Sequence, residues 1–280
     1  MDGGEFIFNA TFRNNWTWYS YLSRDTLELS ASQLRGGPSL LLPGKWLYYG
    51  QIATDRNKKF QFRLFAGAYH GDQNYYRSPN FSFGVTYRPL NALEVSFGPD
   101  YWWNRNRLQY ITTQEIGSEK RYICADIFQK TFSLTLRLNW GITPDLSIQY
   151  YGQPYCSVGK YSNLKRIIDP RAVKLEDKYH LFTGAEISRS ITGDYLIDEN
   201  MDGLMDYTFG NPDFNFLQFR SNLVLRWEYK PGSSLYVVWS QGRTGNSSAE
   251  YFSLLNGMTD LFNIYPRNVF LIKWSHWFSL

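Results

Sequence analysis

Apolar and polar residues alternate with a period of two along most of this chain. Phe132, Leu134, Leu136, Leu138 and Trp140 interleave with Ser133, Thr135, Arg137 and Asn139, and Phe81, Phe83, Val85 and Tyr87 with Ser82, Gly84, Thr86 and Arg88. Across 216–229, Leu217, Phe219, Leu223, Leu225, Trp227 and Tyr229 alternate with Gln218, Arg220, Asn222, Arg226 and Glu228. The final stretch sets Phe270, Ile272, Trp274, Phe278 and Leu280 against Lys273, Ser275 and Ser279. Such a pattern puts the apolar side chains on one face of a strand and the polar ones on the other. With Arg and Glu on the polar side, it describes an antiparallel sheet with one wet face.

The alternation predicts about ten strands, near 5–22, 45–55, 59–70, 77–88, 93–114, 120–143, 146–165, 214–230, 234–246 and 268–280. Short turns at Asp55–Lys58, Pro89–Ala92, Thr143–Asp145 and Lys230–Ser233 alternate with longer connections at 24–44, 71–79, 115–120, 166–213 and 247–267. Short periplasmic turns on one rim and long extracellular loops on the other are the pattern of a bacterial outer-membrane barrel. An even count sets both chain ends on the short-turn side. Several strands exceed the ~9–11 residues a membrane requires, so 93–114 and 120–143 are expected to project as a hairpin on the loop side. A soluble β-sandwich is the alternative, but its strands average about 5–6 residues. The expected fold class is all-β: an antiparallel transmembrane β-barrel spanning 1–280, with a long extracellular loop at 166–213. Its expected location is the bacterial outer membrane, with membrane lipid as its partner.

Composition agrees. Aromatics make up 19% of the chain, with 22 Tyr, 20 Phe and 10 Trp, and charged residues another 19%. The mean hydropathy is −0.42, a value ordinary for a soluble protein. A lipid-facing surface interleaved with a polar lumen, flanked by aromatic girdles, accounts for all three. No run approaches the ~18 consecutive apolar residues of a membrane helix; stretches such as Ser39–Leu42 and Val269–Ile272 are strand-length. The net charge of +4 comes without a basic cluster on one element, so nucleic acid is not an expected partner. Cys124 and Cys156 have neither metal spacing nor the number a disulfide framework needs. The N-terminus, MDGGEF, carries no basic, apolar or cleavage segment of a secretion signal, so the chain is expected to be a C-terminal fragment of a longer protein.

One motif points to a metal. Asp198-Glu-Asn-Met-Asp-Gly-Leu-Met-Asp206 places oxygen donors at Asp198, Asn200, Asp202 and Asp206, with Gly203 at the sixth position and the Leu204 carbonyl at the seventh. That is the front of a calcium loop. Position twelve is Phe209, so the closing bidentate Glu is missing, and Asp194 or Asp213 is the candidate replacement. A Ca2+ ion here would staple a long loop whose ordering is otherwise entropically costly; a solvated acidic tip is the plain alternative.

Catalytic motifs are absent: His70, His180 and His276 are scattered, and no G-x-S-x-G, H-E-x-x-H or phosphate loop occurs. Arg35-Gly-Gly-Pro-Ser-Leu-Leu-Leu-Pro-Gly44 imposes a fixed turn, either a cap or a constriction. Parity assigns Gln61, Arg63, Arg88, Glu94, Arg137, Asn139, Gln149, Arg220, Asn222, Arg226, Glu228 and Lys273 to the lumen. There opposite charges either pair and close the pore or line a channel. Tyr75, Tyr76, Trp102, Trp103 and Tyr161 are candidates for stacking on sugar rings, interface girdles being the commoner use of such residues.

Three segments, Arg35–Gly44, the calcium-like loop and Gln218–Ser233, together with the continuation to Gln241, resemble a Bacteroidota family of unknown function. The resemblance is to the C-terminal barrel domain of proteins that carry an N-terminal domain like carbohydrate-binding module family 9. It implies an outer-membrane location, a glycan-related context and no assigned activity. It also implies that a carbohydrate-binding domain and early strands precede this segment. The expected function is a membrane anchor or pore linked to glycan binding or uptake. An outer-membrane hydrolase and a structural partner in an envelope complex are the rivals.

Overall fold

The computed structural model describes residues 3–247 and 254–278. Its body is one antiparallel meander of eleven strands: β1 (Gly3–Thr11), β2 (Thr17–Asp25), β3 (Lys45–Ala53), β4 (Phe60–Gly71), β5 (Tyr76–Leu90), β6 (Leu93–Ile116), β7 (Glu119–Thr143), β8 (Leu146–Ile167), β9 (Phe214–Lys230), β10 (Ser233–Asn246) and β11 (Arg267–Ser275). Each pairs with its sequence neighbour, and the short strand Tyr179–Leu181 adds to the loop end of β8. Among the described residues β1 pairs only with β2 and β11 only with β10, leaving both edges open. No described helix is long and apolar enough to cross a membrane. The longest helix, α1 (Leu254–Asn263), sits in the last long connection.

The count of ten is corrected to eleven. The stretch 5–22, expected as one strand, is the β1–β2 hairpin. Phe12 N–H donates to the Trp16 carbonyl and Asn15 N–H to the Phe12 carbonyl, while Asn15 adopts φ 62°. Asn tolerates this left-handed conformation, and Asn14-Asn15 was the available turn signal. An odd count also moves one end: Gly3 lies on the long-loop rim and Ser275 on the short-turn rim, so β1 and β11 run in the same direction. The two expected loops at 71–79 and 115–120 shrink to 72–75 and 117–118 because the strands run further. The last strand stops at Ser275, and Ser279 and Leu280 lie outside the described residues.

Rim asymmetry holds. One rim carries only the short connections 12–16, 54–59, 91–92, 144–145 and 231–232; the other carries the long ones, 26–44, 168–213 and 247–266, together with two short turns at 72–75 and 117–118. The register also places the parity set together. Arg63 faces Gly84, Ser96 faces Arg137, Asn139 faces Gln149, and Asn222 faces Tyr151. The opposite face carries Phe60, Tyr87, Trp140, Trp227 and Trp274 beside the short turns, each 40–66% exposed. Among the described residues α1 covers the apolar face at Cys156, Leu217 and Phe219, and most of the rest of the wall has no second layer on either face.

The expected projecting hairpin is present. β5 ends its pairing with β6 at Tyr76 against Asn106, so 107–116 and 119–127 extend beyond it. Here the alternation gives way to Ile123, Cys124, Ala125, Asp126 and Ile127, all buried in succession.

Candidate functional site

The projecting ends of β6–β8 are covered on both faces. Leu34, Leu40 and Leu42 from the 26–44 loop pack with Tyr75, Leu108, Cys124, Ile167 and Leu175 on one side. On the other, Ile123, Ala125 and Leu164 pack against Phe182 and a three-stranded sheet of Ile187–Arg189, Tyr195–Ile197 and Tyr207–Phe209. The Gly-Pro-rich segment is therefore a cap component.

Polar contacts tie the loops to one another. Leu41 N–H donates to the Pro170 carbonyl at 2.8 Å. The Gln73 amide donates to the Val173 carbonyl and accepts from Leu175 N–H. Arg107 pairs with Glu176 at 3.4 Å and donates to Tyr179 Oη at 2.9 Å. Glu199 collects Arg121 at 3.2 Å, Arg166 at 3.4 Å and the Tyr207 hydroxyl at 2.7 Å. Burial and the adjoining Glu199 carboxylate push the Tyr207 hydroxyl well above the usual phenol range. Lys165 and Asp126, 1% and 8% exposed, form an ion pair at 2.5 Å. Parity alone had no means of distinguishing this buried pair from charges on the wet face of the sheet.

The acidic motif forms the tip of the 195–209 hairpin. Its oxygens are engaged by the turn's own amides: Asp198 accepts from Asp202 and Gly203 N–H, Asn200 from Asp202, Asp202 from Leu204, and Asp206 from Glu199. Met201 at φ 56° and Gly203 at φ 86° supply the reversal. Neither candidate closing ligand joins. Asp194 stands at the far end of strand Tyr195–Ile197, accepting from the Thr192 hydroxyl, and Asp213 accepts from Tyr161 N–H. Among the described residues no group of three or more His, Cys, Asp or Glu is placed to hold a metal.

The sugar-stacking candidates divide. Tyr75 is buried in the cluster under the 26–44 loop, Tyr161 packs against the cluster on the opposite side, and Trp103 packs at a tilt on Phe128 with Arg77 over its ring. His180 bonds Glu186 at 2.6 Å, but Glu186 also closes a capping box with Thr183, which makes the pair part of the chain's local framework. His276 shares a hydrogen bond with Tyr229 and packs between Trp274 and Phe278, at the aromatic end of the wall as its parity predicts.

Along the polar wall, Arg88 pairs with Glu94 at 2.6 Å and Arg226 with Glu228 at 2.8 Å, both near the short turns. A model of a family described as a domain of unknown function, DUF5916, matches residues 5–279. The chain belongs to that family. No curated protein matches this DUF5916 chain. Among solved structures, the copper transporter OprC aligns with 96% of the chain at 10% identity and a TM-score of 0.43. The DUF5916 chain spans 41% of that protein.

Proposed function

We propose that this DUF5916 chain is the wall of an outer-membrane β-barrel that serves as an anchor or pore, in a setting of glycan binding or uptake. The observation that carries the membrane part is the bare outward face. A soluble protein rarely leaves contiguous apolar patches beyond a few hundred Å2 uncovered. Here an apolar face runs uncovered from the cap to the short turns, save where α1 lies over Cys156, Leu217 and Phe219, and is bordered by the aromatic belt from Phe60 to Trp274. From Phe60 to His70 a strand covers roughly 33 Å, or about 25 Å along an axis tilted by ~40°, the height of a membrane barrel's apolar band. The directions of β1 and β11 add a condition. Closing the wall with antiparallel pairs alone takes an odd number of further strands.

The glycan part is supported by the sequence resemblance alone, and glycan-array binding by the complete protein tests it. The membrane part is tested by purification with and without detergent, and by tryptophan quenching in bilayers of brominated lipid. Retained solubility as a detergent-free monomer, with unquenched tryptophans, refutes it. For the Asp198–Asp206 turn we propose calcium as a loop staple, supported by the spacing of Asp198, Asn200, Asp202, Leu204 and Asp206. Protease protection of 168–213 that is identical in calcium and in chelator refutes that assignment.

A further inference from the structure

The polar wall does not neutralise itself. Near the short turns Arg88–Glu94 and Arg226–Glu228 pair, while Lys273 lies over the Tyr236 ring; one band higher Arg63, Arg137 and Arg220 have no carboxylate partner among the described residues. All three are exposed on the same face, and Arg137 lies over the Tyr151 ring at 5.1 Å. Asp100, the carboxylate of this region, accepts from Asn80 instead. Arg56, Arg63 and Arg137 line one concavity of about 560 Å3 with Asp100, Ser82, Ser133 and Thr135, so its lining is net positive.

Beside the arginines the wall is stripped of side chains. Arg63 faces Gly84 and Arg220 faces Gly242, while Gly98 faces Thr135. Packing does not force these glycines: an added Cβ would meet nothing nearer than 3.7 Å at any of the three. None of them has the left-handed φ that would demand glycine. What they leave is width next to the guanidinium groups.

We infer that this band is an anion-selective lining whose ligands are small oxyanions, carboxylate- or phosphate-bearing. The inference rests on the pore reading above and names the solute class for it. Unpaired guanidinium groups in a dry, plugged interior are too costly to persist, so water must reach them. A wet passage whose lining is net positive concentrates anions. Three unit charges roughly 8 Å from the path, in water with a ~10 Å Debye length, enrich a monovalent anion about three-fold and deplete a cation equally. The fork of the guanidinium group adds geometric preference for oxyanions over chloride.

The test is the reversal potential of the complete native protein in planar bilayers under a potassium chloride gradient, with inorganic phosphate as the added probe. We expect a reversal potential on the chloride side, a chloride-over-potassium permeability ratio of up to about ten, and a chloride current reduced by phosphate. The variant combining R63Q, R137Q and R220Q should bring the ratio to near unity. R63Q and R220Q singly should each lower it should the triple variant not assemble. Absence of any current overturns the pore itself. A current that prefers potassium, or variants with an unchanged reversal potential, overturns the anion assignment while leaving the pore intact.

Discussion

Asp126→Ala removes the counter-charge of Lys165 at the centre of the cap. The ammonium is 1% exposed and sits 2.5 Å from Asp126 Oδ1, with a further bond to the Arg107 carbonyl at 3.0 Å and the Tyr179 ring 4.4 Å away. Removing one member of a buried pair costs about 3–5 kcal/mol, because the remaining charge is left uncompensated. At ~1.4 kcal/mol per ten-fold, opening of the cap becomes roughly 10²–10³ times more frequent. Tyr179–Leu181 pairs with β8 at Lys165–Ile167, so amide exchange across 164–182, corrected for intrinsic rate, reads that opening directly. Burial already holds the Lys165 ammonium below its ordinary range, opposed by the Asp126 hydrogen bond. Between that lowered value and the unfolded one the unfolded chain binds more protons, so stability rises with pH across the window. The deficit of the variant is therefore largest near neutral pH and shrinks as pH climbs toward 10. The double change Asp126→Asn with Lys165→Met should recover most of the protection, since it removes both charges and leaves no uncompensated buried ion. An increase in exchange below about five-fold, or a double variant as open as the single one, would refute the reasoning.

Other consequences follow from single residues. Gly44→Ala drives a Cβ to 2.1 Å from the Thr26 carbonyl oxygen and 2.6 Å from that of Asp25; loosening of 26–44 by about 1–3 kcal/mol is expected as faster proteolysis of that loop. Asn15→Val places a β-branched residue at φ 62° and should cost about 1–2 kcal/mol, seen as a lower melting temperature than that of Asn15→Gly. Glu199→Gln weakens the anchor shared by Arg121, Arg166 and Tyr207, so exchange at Tyr207–Phe209 should rise while the wall strands stay unchanged. Cys124 is fully buried and its thiol is pushed up to about 12; it should resist alkylation at pH 8 until the cap is opened, and Asp126→Ala should accelerate its labelling.

Much of the wall was legible because period-two alternation maps one-to-one onto the two faces of a strand. Gln61, Arg63, Arg137, Asn139 and Arg226 share a face in the structure because their parity demands it once the turns are set. The missed hairpin at Asn14-Asn15 shows the weakness of the method: Phe12 and Trp16 keep the same parity across the turn, so alternation passes through it unbroken. The acidic turn was legible as a turn, since its Asx residues and Gly203 close it through backbone amides. Its spacing carried no information about what else reaches the tip. Glu199 and the Lys165–Asp126 pair were invisible for a related reason: their partners arrive from segments distant in sequence, Arg121 among them, and no local pattern encodes that arrival.

Where alternation fails, its failure is itself structural information. Through Phe132–Trp140, β7 obeys the one-wet-face rule, whereas Tyr122–Ile127 reads as an almost continuous apolar run. A strand buried on both faces loses the requirement for polar residues at every second position, and this stretch has loop 26–44 on one side and the 187–209 sheet on the other. The change falls where β5 stops pairing with β6, at Asn106, and where Phe128 and Trp103 pack. Two different demands therefore meet at one level of the sheet. Below it, the polar face is wet and the apolar face is bare except where α1 lies over Cys156, Leu217 and Phe219. Above it, protein covers both. An apolar face that is uncovered only up to the level where a cap begins fits a wall whose lower part has lipid for its second layer. For the membrane wall proposed above, that places the boundary near the Trp103–Phe128 pair. Tryptophan quenching by lipids brominated at different depths should then place Trp103 shallow and Trp140 near the opposite interface.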